Sequence, residues 1–184
     1  MKMYETERFY IRPLIPDDAR NLNYQKWFYD QEVCAYNSHG NFLYTESQIN
    51  DFIARIESGK DILWAVIAKP SGKSTPDIHI GNITLQDISW INRTAEFACI
   101  FGEKEYWMTG CATEAIKILF HHGFDKLNLN RIWLGTAKTN IAMNQVAIKL
   151  GMVSEGYLRD HVFLEGKYVG IIQYGILRNE WRIK

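Results

Sequence analysis

The chain lacks the features that mark several large classes of protein. Polar residues interrupt every apolar run well short of a membrane span, and the first ten residues have no apolar centre of the signal-peptide kind. Basic and acidic residues number 21 each, so no net charge favours nucleic acid or an anionic membrane. We therefore expect a cytoplasmic protein that binds neither nucleic acid nor membrane.

Cysteine is scarce, and its arrangement excludes two further classes. The three cysteines are Cys34, Cys99 and Cys111; their odd number argues against a disulfide framework, and their spacing matches no paired metal motif. We expect reduced thiols and no metal. Cys99 lies in an apolar stretch typical of a core. Cys111 follows a glycine where a helix start could lower its pKa, but a nucleophilic role would require a histidine partner.

The length of the chain sets the number of domains. With 184 residues, 47% of them hydrophobic, the chain can bury one sizeable core, and no long stretch rich in proline, glycine and serine divides it. We predict a single domain over residues 1–184. Periodicity predicts a strand, two helices, three consecutive strands, a helix, a strand, a helix and two strands. This order indicates an α/β fold, with a mixed sheet covered by helices on both faces.

Capping signals predict the second helix. Thr45 and Gln48 have the spacing of a capping box, so the helix is expected to begin near Glu46, and Gly59 is a suitable C-terminal stop. The first helix is expected to run from Pro16 through Trp27.

The most informative stretch runs from Glu103 to Ala115, with the sequence EKEYWMTGCATEA. It has the pattern of a strand end, a glycine turn and the opening of a helix. The first N–H groups of a helix have no intrahelical partner, and Gly110 lacks a Cβ, so a ligand can approach the backbone closely. Such a turn suits a phosphate, although plain turn chemistry produces the same local pattern.

Four stretches carry a resemblance to a known family. They are ETERFYIRPL, AEFACIFGEKEYWMTGCATEA, TNIAMNQVAIKLGM and EGYLRDHVFLEGKYVGIIQYGIL. In this order they resemble the GNAT acetyltransferase superfamily, in particular its branch of ribosomal-protein N-terminal and small-amine acetyltransferases. The resemblance implies a mixed, mostly antiparallel sheet of six to seven strands. It also implies transfer of an acetyl group from acetyl-CoA, as cosubstrate, to a primary amine by direct attack, without a metal.

The resemblance also implies which residues bind the cofactor. The turn would bind the pyrophosphate through backbone amides, and the next helix would lie along the pantetheine arm and adenosine phosphate. Met108 stands where the family commonly has a second glycine, and Thr109 stands where it often has a basic residue. The expected cofactor-binding residues of these two segments are Trp107, Met108, Thr109, Gly110, Cys111, Ala112, Thr113, Asn140, Asn144 and Lys149.

The strand before the turn is expected to supply the remaining contacts. We expect it to splay from its neighbour, so that the backbone of Cys99, Ile100 and Phe101 can bind pantetheine amides and polarise the thioester carbonyl. Glu96 lies on the same strand. An alkylammonium is protonated at neutral pH, so the reaction needs a base, and Glu96 is the candidate. The alternative is a structural ion pair between Glu96 and Arg93 or Arg12.

The acid that protonates the departing thiolate is not identified by the sequence. Many relatives place a tyrosine at the position of Ala147, which has no proton to donate. Asn144, Tyr157 or water are the alternatives.

The acceptor is likewise open among a protein N-terminus, a polyamine, an aminoglycoside and an amino sugar nucleotide. Its pocket wall is expected in an aromatic segment that contains Trp27, Tyr29, Tyr36, Phe42 and Tyr44. A noncatalytic acyl-CoA-binding module is the alternative function. Either a monomer or a homodimer fits the sequence.

Overall fold

One sheet organises the chain. A computed structural model describes residues 2–37, 39–41, 45–69 and 76–182. In these residues eight strands form a single sheet with the order β1-β2-β3-β4-β5-β6-β8-β7. The strands are β1 Tyr4–Glu5, β2 Phe9–Pro13, β3 Ile62–Ala68, β4 Ile78–Ser89, β5 Thr94–Phe101, β6 Arg131–Ala137, β7 Val153–Leu164 and β8 Lys167–Leu177.

Every strand pairing is antiparallel except that of β5 with β6, so the predicted mixed, mostly antiparallel sheet is confirmed. The predicted count of six to seven strands is one too low. The extra strand is β1, which has two residues and is too short to show an alternating pattern. The helices in the described residues are α1 Pro16–Arg20, α2 Leu22–Lys26, α3 Glu46–Ser58, α4 Cys111–His121, α5 Ile141–Lys149 and α6 Arg178–Arg182.

The main core lies between the sheet and helices α4 and α5. Phe120 of α4 is fully buried and packs edge-on against Phe97 of β5, with ring centroids 5.3 Å apart. Ala147 and Leu150 bring α5 and the residue after it into the same core. Burying each large apolar side chain stabilises the fold by about 1.5–3 kcal/mol, which fixes the start of α4 relative to β5.

Helices α1 to α3 cover the opposite face of the sheet, which confirms the prediction of helices on both faces. Phe52 and Ile56 of α3 pack against Ala65 and Ile67 of β3. The capping box of α3 and its stop at Gly59 are both as predicted, with Gly59 in the left-handed conformation. No helix in the described ranges is long and apolar enough to span a membrane.

The first helix differs from the prediction. The chain from Pro16 onward forms two short helices rather than one, because Asn21 takes an extended conformation and its side chain accepts the N–H of Asn23. Asparagine competes with the helix in this way by bonding to nearby backbone groups. The break turns α2 and the following 3₁₀ turn, Trp27–Tyr29, over the sheet face.

The sheet opens between its two parallel strands. β5 and β6 pair only from Thr94 with Arg131 to Glu96 with Trp133, and they diverge beyond this point. β5 continues its pairing with β4, and β6 continues with β8. The predicted splay is therefore confirmed, and it leaves the β6-facing edge of β5 outside the sheet ladder from Phe97 onward.

Candidate active site

The turn before α4 has an unusual backbone. Met108 and Gly110 both take left-handed φ values, of 59° and 85°. The side chain of Met108 is 88% exposed, so it points outward and does not fill the turn. Gly110 is the N-cap of α4, and its carbonyl accepts the N–H of Glu114 at 3.1 Å. The methionine thus adopts the conformation that a glycine would take without strain.

The amides of the turn divide into two groups. Within the described residues, no hydrogen bond engages the amides of Ala112 and Thr113, which precede the first intrahelical bond of α4. The amide of Cys111 makes only a 3.5 Å contact with Thr109 Oγ1. The amide of Trp107, by contrast, donates to the carbonyl of Lys104 at 3.0 Å. The expected contribution of the Trp107 amide to an anion site is therefore contradicted, because the preceding 3₁₀ turn already uses it.

A cation that the sequence analysis missed lies beside this turn. Arg8 Nη1 donates to the carbonyl of Thr109 at 2.9 Å, and Arg8 Nε donates to Glu114 Oε2 at 3.1 Å. Arg8 therefore places a guanidinium next to Thr109, the position where the family often has a basic residue. The two segments are 101 residues apart, so no local pattern could have revealed the contact.

The end of β5 borders the opening in the sheet. The carbonyl of Phe101 accepts the indole N–H of Trp107 at 2.8 Å, which leaves one lone pair of that oxygen for a further donor. Cys99 and Ile100 retain the expected position on the splayed strand. Burial raises the pKa of Cys99 to about 12, which keeps the thiol protonated at neutral pH. Cys111 is buried in the main core, which supports a structural role.

Helix α5 shows two different kinds of asparagine. Asn140 is the N-cap, and its side chain accepts the N–H of Met143 at 3.1 Å. Asn144 is buried; its Nδ2 donates to the carbonyls of Ala137 and Asn140 at 3.1 and 2.7 Å, and its Oδ1 accepts from Tyr174 at 2.9 Å. Both polar ends of Asn144 are therefore engaged. The geometry assigns Asn144 to the β6–α5 junction rather than to a cofactor or to proton donation.

The other expected residues of this region are placed as follows. Lys149 is exposed in the last turn of α5, where solvent or a phosphate can reach it. Ala147 is fully buried in the main core. Tyr157 lies on β7, two strands from β6, but its side chain extends across β8. The ring lies over Gly170 of β8, and its centroid is 5.9 Å from Nζ of Lys138, the residue after β6.

A cavity of about 310 Å³ lies between the sheet and helices α1 to α3. Its floor consists of cross-strand pairs of β4 with β5, Asn82 with Ile100 and Thr84 with Ala98. The cavity reaches Cys99 and Ile100, so it meets the strand that borders the opening. Other lining residues are Ala19, Tyr24, Gln25, Phe28, Tyr29, Asn37, His39, Gln48, Ile49, Phe52, Arg55, Leu63 and Gln86.

The aromatic segment supplies part of the cavity wall, through Tyr29. The other predicted positions differ: Trp27 is buried in the core, and Tyr36 is not among the lining residues. Phe42 and Tyr44 lie outside the described residues.

Glu96 is half-buried and hydrogen-bonded next to this cavity. Gln86 Nε2 donates to Glu96 Oε2 at 2.9 Å, and Gln86 Oε1 accepts from Arg55 at 3.2 Å. The alternative reading, an ion pair of Glu96 with Arg93 or Arg12, is not supported: Arg12 bonds Asp18 at 2.6 Å, and Glu96 has no ion pair within the described ranges. Glu96 thus lies one side chain away from the cavity, with Gln86 between them.

A buried polar network lies beside the cavity floor. His79 Nε2 bonds Asn82 Oδ1 at 2.8 Å, Asn82 Nδ2 donates to the hydroxyl of Tyr24 at 3.1 Å, and the rings of Tyr24 and His79 stack with centroids 5.6 Å apart. Burial lowers the pKa of His79, so its imidazole is neutral at neutral pH. Polar residues at alternate positions 82, 84 and 86, with apolar residues at 83 and 85 between them, were the available sequence signal for this floor.

The fold and the site define a class of protein. A mixed sheet splays beside a left-handed turn and a helix N-terminus, next to a cavity, which is an arrangement suited to binding an anionic ligand beside a small molecule. The family model described as an acetyltransferase (GNAT) domain matches residues 8–153. The chain belongs to the GNAT acetyltransferase family, as its sequence predicts.

Individual relatives agree with this assignment. The chain is 30% identical to the uncharacterized N-acetyltransferase p20 of Bacillus licheniformis, over 98% of this chain and 99% of that one. It is 34% identical to the spermidine N(1)-acetyltransferase of Escherichia coli K12, over 55% and 54% of the two chains. A spermidine N-acetyltransferase from Vibrio cholerae, solved with CoA and spermine, has the same fold with a TM-score of 0.81 at 22% identity, covering 96% of this chain and 99% of that one.

Proposed function

We propose that this protein transfers the acetyl group of acetyl-CoA to a primary amine by direct nucleophilic attack. One observation carries the proposal: the cavity meets β5 at Cys99 and Ile100, where that strand has left β6. An amine in the cavity and a thioester along the splayed edge would therefore meet at the same strand. Family membership supports the cosubstrate.

The chain's own residues fit an acyl-CoA. The amides of Ala112 and Thr113, at the N-terminus of α4, are oriented for a diphosphate, and Gly110 leaves the approach open. Arg8 places a guanidinium, paired with Glu114, at the same turn. Asn140 and Lys149 are carried forward as candidate contacts to the pantetheine arm and a phosphate.

The proposed reaction requires two proton movements. The ammonium of the acceptor loses a proton to Glu96, through water, because Gln86 separates that carboxylate from the cavity. The amine nitrogen then attacks the thioester carbon, a C–N bond forms and the C–S bond breaks. The second proton of the nitrogen leaves on amide formation, and solvent protonates the CoA thiolate, which needs no dedicated acid because a thiol pKa is about 8.5.

Release of free thiol from acetyl-CoA with a panel of primary amines tests the proposal, with mass spectrometry identifying the acetylated amine. Amine-dependent thiol release supports the enzyme. The burial of Ala147, with no proton donor at that position, keeps the noncatalytic acyl-CoA-binding module as the second candidate. CoA binding without an acetylated product from any amine would favour that module.

A further inference from the structure

The lining of the 310 Å³ cavity contains no carboxylate. Among the described residues, the polar groups of the lining are amides, hydroxyls, a thiol and a histidine, and the one charged side chain is the cation Arg55. The undescribed residues cannot supply the missing charge, because none of residues 1, 38, 42–44, 70–75 and 183–184 is an aspartate or a glutamate. Any carboxylate that faced the cavity would therefore have to come from the described residues, and none of these lines it.

Two carboxylates are each bonded to a lining residue. Gln86 donates to Glu96 at 2.9 Å, and Arg55 Nε donates to Asp61 Oδ2 at 2.6 Å. Asp61 is thereby neutralised by a cation that itself lines the cavity. Asp18, next to the lining residue Ala19, is likewise paired with Arg12. Among these three carboxylates of the described residues, Glu96 alone has no ion pair and can serve one ammonium group.

The surroundings of the cavity disfavour charge in general. Burial lowers the pKa of His79 behind Tyr24, and it raises the pKa of Cys99. Both groups are thus shifted towards their neutral forms, because desolvation penalises the charged form of each. The same effect favours the neutral, nucleophilic form of one bound amine, and it penalises every further ammonium on the same molecule.

The apolar part of the lining suits a ring. Tyr24 and Phe28 pack edge-to-face with centroids 5.1 Å apart, and Phe52 stacks on Tyr24 at 6.5 Å, so three aromatic side chains form one wall. A volume of 310 Å³ holds a molecule of about ten non-hydrogen atoms, given roughly 30 Å³ for each atom of water size. Spermidine and simple arylalkylamines are both of this size, so charge rather than volume distinguishes them.

We infer that the acceptor is a primary monoamine with an uncharged arylalkyl body, and not a polyamine. This inference rests on the proposed function, since it assigns the cavity to the acceptor. It separates this chain from the relatives that are named for spermidine, although their fold is shared. The cavity offers no counter-charge to any ammonium group other than the one that reacts. It therefore selects against amines that carry a second positive charge.

The test compares 2-phenylethylamine, spermidine and phenylalanine. Calorimetry of the protein saturated with CoA, which cannot react, gives the affinity for each amine, and thiol release from acetyl-CoA gives kcat/KM. We expect 2-phenylethylamine to bind at least ten times more tightly than spermidine and to have the higher kcat/KM. Equal or tighter binding of spermidine, preference for phenylalanine through its carboxylate, or no binding of any amine would each overturn the inference.

Two matched variants test whether the discrimination between amines arises in the cavity. Gln48 lines the cavity at the N3 position of α3, where glutamate also completes a capping box, so Gln48→Glu adds a carboxylate and keeps the helix start. We expect Gln48→Glu to tighten spermidine binding about threefold to fivefold, in the range of an exposed ion pair. Asn50→Asp adds the same charge to the same helix outside the lining, and its spermidine affinity should equal that of the wild type.

The outcomes distinguish this inference from the proposed function. If the protein fails to bind CoA, the proposed function fails first. If CoA binds and spermidine is acetylated more efficiently than 2-phenylethylamine, the proposed function stands and the inference fails. An equal gain in spermidine affinity in Asn50→Asp and Gln48→Glu would show attraction by net charge alone. That result would contradict the argument from the residues that line the cavity.

Discussion

Replacing Gly110 by valine tests whether the turn before α4 holds an anionic group through its backbone. Gly110 has a φ of +85°, and a Cβ added there would meet nothing closer than Arg8 Nη2 at 3.9 Å. The protein therefore has room for a side chain, and the cost to folding comes from the left-handed backbone, about 1–3 kcal/mol. For a chain of this size that lowers Tm by roughly 2–12 °C, so the variant should still fold.

Gly110→Val should also weaken CoA binding, and this loss of binding free energy should be larger than the loss of folding stability and is measured independently of it. A side chain at Gly110 would stand between the diphosphate and the amides of Ala112 and Thr113. Losing one hydrogen bond to a charged group costs about 1.5–3 kcal/mol, which corresponds to a roughly 10- to 100-fold weaker Kd for CoA. Calorimetry with CoA measures this loss directly.

Gly59 provides the matched control. It also has a left-handed φ, of +64°, with nothing within 4 Å of an added Cβ, but it ends α3 away from the turn. Gly59→Val should lower Tm by a similar amount and leave CoA affinity unchanged. Wild-type affinity in Gly110→Val, or an equal loss in Gly59→Val, would refute the assignment of the turn to the diphosphate.

Three further predictions concern the base, the α5 junction and pH. Glu96→Gln should lower kcat/KM by about 100-fold or more, as expected for loss of a general base. Glu57→Gln, at an exposed position, should leave kcat/KM unchanged. Unchanged turnover of Glu96→Gln from about pH 6 to 9 would remove Glu96 from the mechanism. Asn144→Ala should lower the free energy of unfolding by about 2 kcal/mol and Tm by roughly 4–8 °C, because Tyr174 and the bonded carbonyls lose their partner. An unchanged Tm in calorimetry would contradict the structural role of Asn144. Burial lowers the pKa of His79, so the unfolded chain binds protons before the folded chain, and stability should fall as pH drops below about 6.5. The Tm of His79→Gln should therefore depend less steeply on pH than that of the wild type between about pH 7 and 5. An unchanged dependence of Tm on pH would exclude His79 as a source of the pH effect.

Some features of the fold were predictable because their causes are local. The capping box between Thr45 and Gln48 and the left-handed stop at Gly59 depend on residues within α3 or next to it. The strands Ile62–Ala68, Thr94–Phe101 and Arg131–Ala137 occur in the predicted order, because runs of apolar residues between turn signals define them. The break at Asn21 is local as well, but its signal is weaker than the helical periodicity around it.

The candidate site was predictable only in part. Glycine at position 110 and the following helix indicate an anion site from the sequence, and the structure provides the left-handed turn and the amides of Ala112 and Thr113 for it. The Trp107 amide and the Asn144 side chain each bond to a partner that the sequence pattern does not reveal. The contact from Arg8 to the turn and that from Gln86 to Glu96 join segments that meet only in the folded chain.

The sequence by itself determined the family, the order of the elements and the position of the glycine turn, because periodicity, caps and turn residues act over a few positions along the chain. Only the tertiary structure decided which groups face the cavity and with what charge. That outcome depends on pairings between distant strands and helices, such as β4 with β5 and α3 with the sheet. The neutral lining, with Glu96 behind Gln86 and Asp61 behind Arg55, is a property of those pairings.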